Sequence, residues 1–167
     1  MSKKFQYNPV IGNYTLLNKS YNKLKTKGSL LLNNFRDFLE DDDIKALLSV
    51  SEHHFESFII EVFDLRFFIR LEIDLLSEEN TFKNGRLVTY FINYEGELER
   101  TKLVFKYDED GKIYWVNNES VRPDFMDMED FTIEYIRLLM EHILNKKYTT
   151  IPNSSYEGEK ERSWKTW

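Results

Sequence analysis

Glu72 and Asp74 form the pair of residues in this chain whose types and spacing come nearest to an acid–base site. On a β-strand, residues two apart share one face and lie about 7 Å from each other. That separation suits the two carboxylates of an inverting glycosidase. Arg70 falls on the same face, however, so the pattern favours charged side chains that pair with each other on a solvated sheet surface. We predict no catalytic residue from this group.

Patterns that would bind a metal or a cofactor are absent from the sequence. Two of the three histidines, His53 and His54, are adjacent, and on a helix they would point about 100° apart and could not bind one metal ion. The third is His142. The chain has no cysteine, no glycine-rich phosphate loop and no nucleophile-elbow serine. We therefore predict neither a metal nor a cofactor, and the sequence favours a non-enzymatic function.

Two acidic runs have structural interpretations. Residues 41–43 are three consecutive aspartates, and carboxylates at that position stabilise the N-terminus of the helix predicted after them. The run lacks the glycine and the glutamate of a calcium-binding loop. Residues 108–111 combine three acids with Gly111, which is typical of a turn between strands.

Charge is unevenly distributed along the chain, which has a formal net charge of −6. Residues 1–36 hold seven basic residues and no acid, whereas residues 37–145 hold 11 basic and 26 acidic residues. Residues 146–167 hold five basic and three acidic residues, so both ends are basic, and the simpler expectation is that they pack beside the acidic middle. The alternative is that one sign of charge faces a partner of the opposite sign.

The N-terminal segment is predicted to form two helices. Apolar residues recur at spacings of three and four from Tyr14 to Leu24, with Lys19, Lys23 and Lys27 on a neighbouring stripe. Gly28 is the predicted stop, and a second helix would run through residue 39.

Residues 55–63 are predicted to form a third helix. Ser49 to Glu52 fits a capping box, and the apolar residues after it follow helical spacing. The same tract is rich in strand-forming residues, so the alternative is that it forms the first β-strand of the sheet.

The middle of the chain alternates between apolar and polar residues, which predicts four antiparallel strands joined as a meander. The predicted strands are residues 66–76, 86–94, 100–107 and 113–116. Asn84-Gly85, Gly96 and Gly111 provide turn signals around them. A helix from residue 128 to 145, capped by Asp127, carries a broad apolar face that we expect to cover the apolar side of the sheet.

The predicted fold is therefore α+β, with N-terminal helices, a four-stranded antiparallel meander and a C-terminal helix packed on the sheet. Residues 1–148 are predicted to form a single domain that begins with the basic segment 1–36. Residues 149–167 are predicted to form a polar tail with two tryptophans. No apolar run is long enough for a signal peptide or a membrane span, so we expect a soluble, cytoplasmic protein.

The favoured function is a non-enzymatic binding protein that acts through a protein–protein interface, either as an inhibitor of immunity type or as a subunit of a larger assembly. Its partner is expected to have a basic surface, and a homo-oligomer formed through the tail is an additional prediction. The residues expected to contact a partner are Trp164, Trp167, Asp108, Glu109, Asp110, Lys19, Lys23 and Lys27.

Two alternatives come from other classes. The first is a small-ligand-binding protein or hydrolytic enzyme with a pocket between sheet and helices, for which Tyr90, Tyr94 and Trp115 would line a cavity with a buried carboxylate. The second is a nucleic-acid function: an acidic mimic of DNA, or a basic N-terminal arm that binds nucleic acid directly.

Overall fold

The computed structural model describes residues 9–54, 56–76, 81–117, 120–121 and 127–148. The side chains of residues 9–13, 52–53, 74–76, 81–83, 115–117 and 120–121 lie outside that description. The helices are α1 (Pro9–Leu39), α2 (Asp42–Lys45) and α3 (Met128–Lys146). The strands are β1 (Ser49–His54), β2 (Ser57–Val62), β3 (Leu65–Leu76), β4 (Thr81–Ile92), β5 (Leu98–Tyr107), β6 (Ile113–Asn117) and β7 (Ser120–Val121).

All seven strands form one antiparallel sheet, in which each strand pairs with the next along the chain. The α+β class and the meander are therefore confirmed, whereas the predicted number of four strands is wrong. The four predicted strands correspond to β3–β6, but β4 begins at Thr81, so Asn84-Gly85 pairs with β3 inside the strand and does not form the predicted turn. The sheet extends beyond them through β1 and β2 on one side and through the two-residue β7 on the other.

The helix predicted over residues 55–63 is wrong, because Ser57–Val62 forms β2, and the predicted capping box at residues 49–52 lies in β1. In β2, Phe58, Ile60 and Val62 are buried on the side of the sheet that contacts the helices, as strand alternation requires. Ile59 lies on the other side and is also only 5% exposed. A strand that buries apolar residues on both sides produces an apolar run without clear alternation, and that run imitated helical spacing.

The predicted break at Gly28 is also wrong, since α1 continues as one helix to Leu39. Gly28 is buried, and a Cβ atom added to it would lie 2.1 Å from the hydroxyl oxygen of Tyr107 and 2.5 Å from Cδ1 of Leu71. The glycine therefore allows the helix to approach the sheet closely, and it does not end the helix.

The hydrophobic core lies between the sheet and the two long helices, which pack on the same side. Phe35 of α1 contacts Phe131 and Tyr135 of α3 with ring centroids 4.8 Å apart in both pairs. Phe105 of β5 lies under Phe131 at 4.7 Å. The prediction that the C-terminal helix covers the apolar side of the sheet is thus confirmed, and α1 covers it as well. None of the described helices is long and apolar enough to cross a membrane.

Candidate binding surface on the open face of the sheet

The side of the sheet that faces away from α1 and α3 is called the open face here. In an antiparallel sheet, residues directly opposite each other project to the same side. The pairing register places Glu72, Arg86 and Lys106 in one row across β3, β4 and β5 on this face. A second row contains Phe68, Tyr90 and Arg100. The open face is therefore built by the three central strands of the sheet.

Three arginines converge on one carboxylate in the middle of this face. The group formed by Arg70, Arg86, Arg100, Glu72 and Tyr90 is called the arginine cluster. Oε1 of Glu72 accepts hydrogen bonds from a guanidinium nitrogen of Arg70, at 2.7 Å, and from the hydroxyl of Tyr90. Oε2 lies 3.9 Å from a nitrogen of Arg86 and 3.9 Å from a nitrogen of Arg100. The cluster therefore holds three positive charges against one negative charge.

The cluster is buried and hydrogen-bonded at its centre and open at its edge. Arg70 lies over the ring of Tyr90, 4.9 Å from the centroid, and also donates a hydrogen bond to its hydroxyl at 3.0 Å. Tyr90 is only 8% exposed. The side chain of Glu72 is 20% exposed, whereas that of Arg100 is 47% exposed. Solvent and any ligand thus reach the arginines more easily than the carboxylate.

The protonation of Glu72 does not suit a general acid. Burial alone would raise the pKa of Glu72, but the hydrogen bonds from Tyr90 and Arg70 and the charges of Arg70 and Arg100 lower it below the ordinary value. The carboxylate is therefore ionised at neutral pH and acts as the counter-ion of the arginines. This arrangement agrees with the prediction that Glu72 and Arg70 pair on the sheet surface. The side chain of Asp74 lies outside the described part of the structure.

The rest of the open face divides into a basic half and an apolar half. Lys106 lies opposite Arg86, and Lys102 is exposed between Arg100 and Val104, so cations dominate around the cluster. Toward the turns that join β2 to β3 and β4 to β5, the same face carries Phe68, Ile92 and Leu98, of which Leu98 is 45% exposed, together with the oppositely charged Arg66 and Glu61, which lie directly opposite each other. Basic and apolar groups therefore lie side by side on one surface.

The predicted partner residues of the basic helix and the acidic turn lie next to each other and away from the open face. An open groove of about 690 Å³ between α1 and the β5–β6 turn is lined by Lys19, Lys23, Lys27, Glu109 and Asp110, among others. Ser20 of α1 donates a hydrogen bond to Glu109 across this boundary. This placement agrees with the simpler expectation that the basic N-terminal segment packs beside acidic residues of the middle.

Asp108 has a structural role in its turn. One of its carboxylate oxygens accepts hydrogen bonds from the main-chain nitrogens of Asp110 and Lys112, each at 3.0 Å. The other oxygen accepts a hydrogen bond from the hydroxyl of Tyr114 at 3.1 Å. These contacts hold the turn in which Gly111 adopts a φ of 81°. Trp164 and Trp167, the other predicted contact residues, lie outside the described residues.

The pocket proposed for a ligand-binding function does not assemble around the tyrosines named for it. Tyr90 belongs to the arginine cluster on the open face, whereas Tyr94 lines a separate cleft of about 260 Å³ with Asp64, Arg66 and Phe91. Trp115 lies in β6, and its side chain is outside the described part of the structure. Among the described residues, no group of three or more His, Asp or Glu side chains could hold a metal ion.

Searches for relatives do not identify a family for this chain. No model of a known protein family, no curated protein and no solved structure matches it.

Arg86 and Arg100 are the residues that sequence reasoning missed. Each lies near the start of a predicted strand, on the side that the alternating pattern predicts to be polar. An exposed arginine is common at such a position and does not indicate a site. The signal lay in the register: pairing the strands through their turns aligns Arg86 with Glu72, and places Arg100 opposite Tyr90, two rows away. A prediction of cross-strand partners would have found the arginine cluster, whereas inspection of single strands could not.

Proposed function

We propose that this chain is a non-enzymatic binding protein that recognises a partner protein through the open face of its sheet. The observation that carries the proposal is the arginine cluster, in which three guanidinium groups and one partly buried carboxylate occupy the centre of a face that no helix covers among the described residues. Arginine and aromatic side chains supply much of the binding energy in protein interfaces.

The combination of charged and apolar residues on this face favours a protein as the partner. A protein surface can place carboxylates against Arg86 and Arg100 and apolar side chains against Phe68 and Leu98. A nucleic acid would gain from the cations, but it has no apolar side chains to match the apolar half, and the net charge of −6 would repel it at long range.

The expected sign of the partner's charge follows from the contact surface. The overall charge of the chain predicts a basic partner, but contacts act over roughly the Debye length of about 8 Å in physiological salt. Beside the arginine cluster the open face carries the further cations Lys102 and Lys106. The proposed partner therefore presents carboxylates beside apolar residues.

An inhibitor of immunity type and a subunit of a larger assembly are the two forms of this proposal. An inhibitor would abolish the activity of its partner when the two are mixed, because it occludes a functional surface. A subunit would be purified with its partner in fixed stoichiometry and would leave the partner's activity intact.

The experiment compares three tagged forms of the full chain in affinity capture from the native cell. The first is the natural sequence, the second is Arg100→Glu with Lys102→Glu on the open face, and the third is Lys45→Glu with Lys146→Glu on the helices. The two variants change the net charge equally, so a difference between them reports the position of the charge.

We expect the open-face variant to lose the captured protein while the helix variant retains it. Association with the captured protein should also slow as the salt concentration rises, since the charges steer the encounter. Retention of the same protein by all three forms would exclude the open face as the interface.

A further inference from the structure

We propose that the groove between α1 and the β5–β6 turn is a second binding site, and that it binds an extended peptide segment in which acidic and basic residues alternate. The groove borders α1 and lies away from the open face, so this inference goes beyond the proposed function and does not depend on it. Five of the residues predicted from the sequence to contact a partner line this groove: Lys19, Lys23, Lys27, Glu109 and Asp110.

One wall of the groove is a polar stripe of α1. Its members are all exposed and recur at spacings of three and four residues, which places them on one side of the helix. They are Thr15, Asn18, Lys19, Asn22, Lys23, Thr26 and Lys27. The stripe contains no apolar residue, and residues 1–36 contain no acid at all. This wall is therefore basic along its whole length.

The opposite wall is the acidic turn between β5 and β6. Glu109 accepts a hydrogen bond from Ser20 of α1, which ties the turn to the helix. The carboxylate of Asp108 holds the main chain of the turn, and Asp110 is exposed beside it. Both walls thus have their shape before any ligand binds, which lowers the cost of binding.

The opposite charges of the two walls do not pair with each other. Within the described part of the chain, no hydrogen bond or ion pair involves the side chain of Lys19, Lys23 or Lys27. Yet the carboxylates of Glu109 and Asp110 line the same groove of about 690 Å³. A ligand that carries both signs of charge can contact both walls at once, whereas the acidic wall would repel a purely anionic ligand.

The spacing of the lysines fits an extended peptide. Residues four apart on an α-helix stand about 6 Å apart along its axis. Residues two apart on an extended chain project to the same side and lie about 6.7 Å from each other. Three alternate acidic residues can therefore face Lys19, Lys23 and Lys27 one to one, and the flexible lysine stems absorb the small difference in spacing. The basic residues between them then point toward the acidic turn.

The first test compares two capped octapeptides of the same composition, each added to the full chain. In the alternating peptide, Glu and Lys alternate, so an extended chain carries acids on one side and bases on the other. In the block peptide, two Glu are followed by two Lys and the unit is repeated, which places both signs on each side. We expect the alternating peptide to bind about 3- to 10-fold more tightly, the effect of a few exposed ion pairs. Equal binding of the two peptides would contradict the inference.

Lys23→Glu reverses the central charge of the stripe, and glutamate has nearly the helix propensity of lysine. We expect this variant to bind the alternating peptide about 5-fold more weakly than the natural chain. Lys102→Glu is the matched control, because it changes the net charge equally at an exposed position of the open face. An equal loss of binding in Lys102→Glu would show that the peptide does not recognise the groove.

Asp110→Lys tests the acidic wall. The main-chain nitrogen of Asp110, not its side chain, forms the hydrogen bond with Asp108, so the turn is expected to keep its conformation. This variant should bind the alternating peptide more weakly and a capped octaglutamate peptide more tightly than the natural chain does. If octaglutamate binds the natural chain more tightly than the alternating peptide does, the acidic wall has no role and the inference is wrong.

A further measurement needs no variant. The main-chain amide NMR signals of the natural chain are followed while the alternating peptide is added, and those of residues 15–27 and 108–111 should shift. Shifts centred on any other surface would overturn the assignment of the site. A single-stranded octanucleotide that binds more tightly than the peptide and loses affinity in Lys23→Glu would overturn the peptide as the ligand and favour nucleic acid.

The outcomes separate this inference from the proposed function. If charge reversal at Arg100 and Lys102 abolishes partner capture while neither octapeptide binds, the open face is an interface and the inference about the groove is wrong. If Lys23→Glu weakens binding of the alternating peptide while the open-face variant retains the captured protein, the groove is a binding site and the proposed function is wrong.

Discussion

The hydroxyl of Tyr107, in β5, donates a 2.8 Å hydrogen bond to the main-chain oxygen of Leu24, in α1. Tyr107 is 1% exposed, and its ring fills the space beside two glycines. A Cβ atom at Gly28 would lie 2.1 Å from the hydroxyl oxygen, and one at Gly85 would lie 2.0 Å from Cζ of the ring. This single side chain therefore fixes how closely the basic N-terminal helix approaches the sheet.

Replacing Gly28 by alanine is expected to destabilise the protein, although alanine favours helices by about 1 kcal/mol over glycine. The added methyl group overlaps Tyr107 and Leu71, and overpacking of a core typically costs about 1–3 kcal/mol. The overlap should outweigh the gain in helix propensity, and the free energy of unfolding measured in urea should fall. Asn34→Ala, at an exposed position of the same helix, is the control and should have no destabilising effect. An equal rise in stability in both variants would show that α1 stands farther from the sheet.

The buried hydroxyl groups of Thr89, in β4, and Tyr135, in α3, lie 2.5 Å apart and form a polar contact inside the apolar core. Thr89 is 0% exposed and Tyr135 is 1% exposed. Burial raises the pKa of Tyr135, so its hydroxyl keeps its proton at neutral pH. Removing either hydroxyl leaves the other without this partner, which typically costs about 1–3 kcal/mol.

A double-mutant cycle measures how strongly these two hydroxyl groups depend on each other. Tyr135→Phe and Thr89→Val should each lower the free energy of unfolding, and the double variant should lose less than the sum of the two single losses. The hydroxyl of Thr101 donates to the main-chain oxygen of Thr89, so both variants leave that bond in place. Strictly additive losses would contradict the contact.

The turn between β2 and β3 consists of two residues that both adopt left-handed backbone conformations. Phe63 has a φ of 51° and Asp64 has a φ of 63°, and Phe63 is 62% exposed. Such a two-residue turn strongly favours Asn-Gly, and a bulky residue with positive φ is strained. We expect Phe63→Asn with Asp64→Gly to raise the free energy of unfolding by about 1 kcal/mol.

Affinity capture of the partner with the same variant tests whether Phe63 belongs to the interface. Phe63 is exposed in the turn at the end of the sheet where Ile92 and Leu98 pair, and strained residues cluster at functional sites. If Phe63 contributes to the interface, the stabilised variant should capture less partner than the natural chain. If the variant is more stable than the natural chain and captures the same amount of partner, Phe63 does not contribute to binding.

The central strands were predictable because one of their two sides is uniformly apolar. In β3, Phe67, Ile69 and Leu71 are buried while Arg70 and Glu72 alternate with them, and this contrast gives a clear two-residue period. The capping role of Asp127 was predictable for a similarly local reason. Its side chain accepts a hydrogen bond from the main-chain nitrogen of Asp130 at 2.8 Å, three residues away.

The errors arose where distant residues decide the local structure. Gly28 resembles a helix stop until Tyr107 is placed beside it, 79 positions along the chain. β2 loses its alternation because Ile59, on the open face, is buried almost as well as Phe58. The candidate site was missed for the same reason, because Arg86 and Arg100 are recognised as part of a cluster only when the strand register places them near Glu72. Local patterns carry no information about such contacts.

The contact between His142 and Tyr148 predicts how stability depends on pH. Nε2 of His142 lies 2.9 Å from the hydroxyl of Tyr148, and the ring is packed near Phe67 with centroids 6.4 Å apart. Burial, aided by the charge of Lys146, lowers the pKa of His142 below its ordinary value, while burial raises the pKa of Tyr148 to about 12.

Above a pH of about 6.5 the histidine is neutral in both the folded and the unfolded state, and its contribution to stability is constant. As the pH falls below that value, the unfolded state binds the proton first, so the free energy of unfolding decreases until the folded-state pKa is passed. We therefore expect the difference in unfolding free energy between the natural chain and His142→Gln to shift against the natural chain between pH 7 and pH 5. Carboxylates titrate alike in both proteins and cancel in this difference, so parallel curves would mean that His142 is as easily protonated in the folded protein as in the unfolded chain.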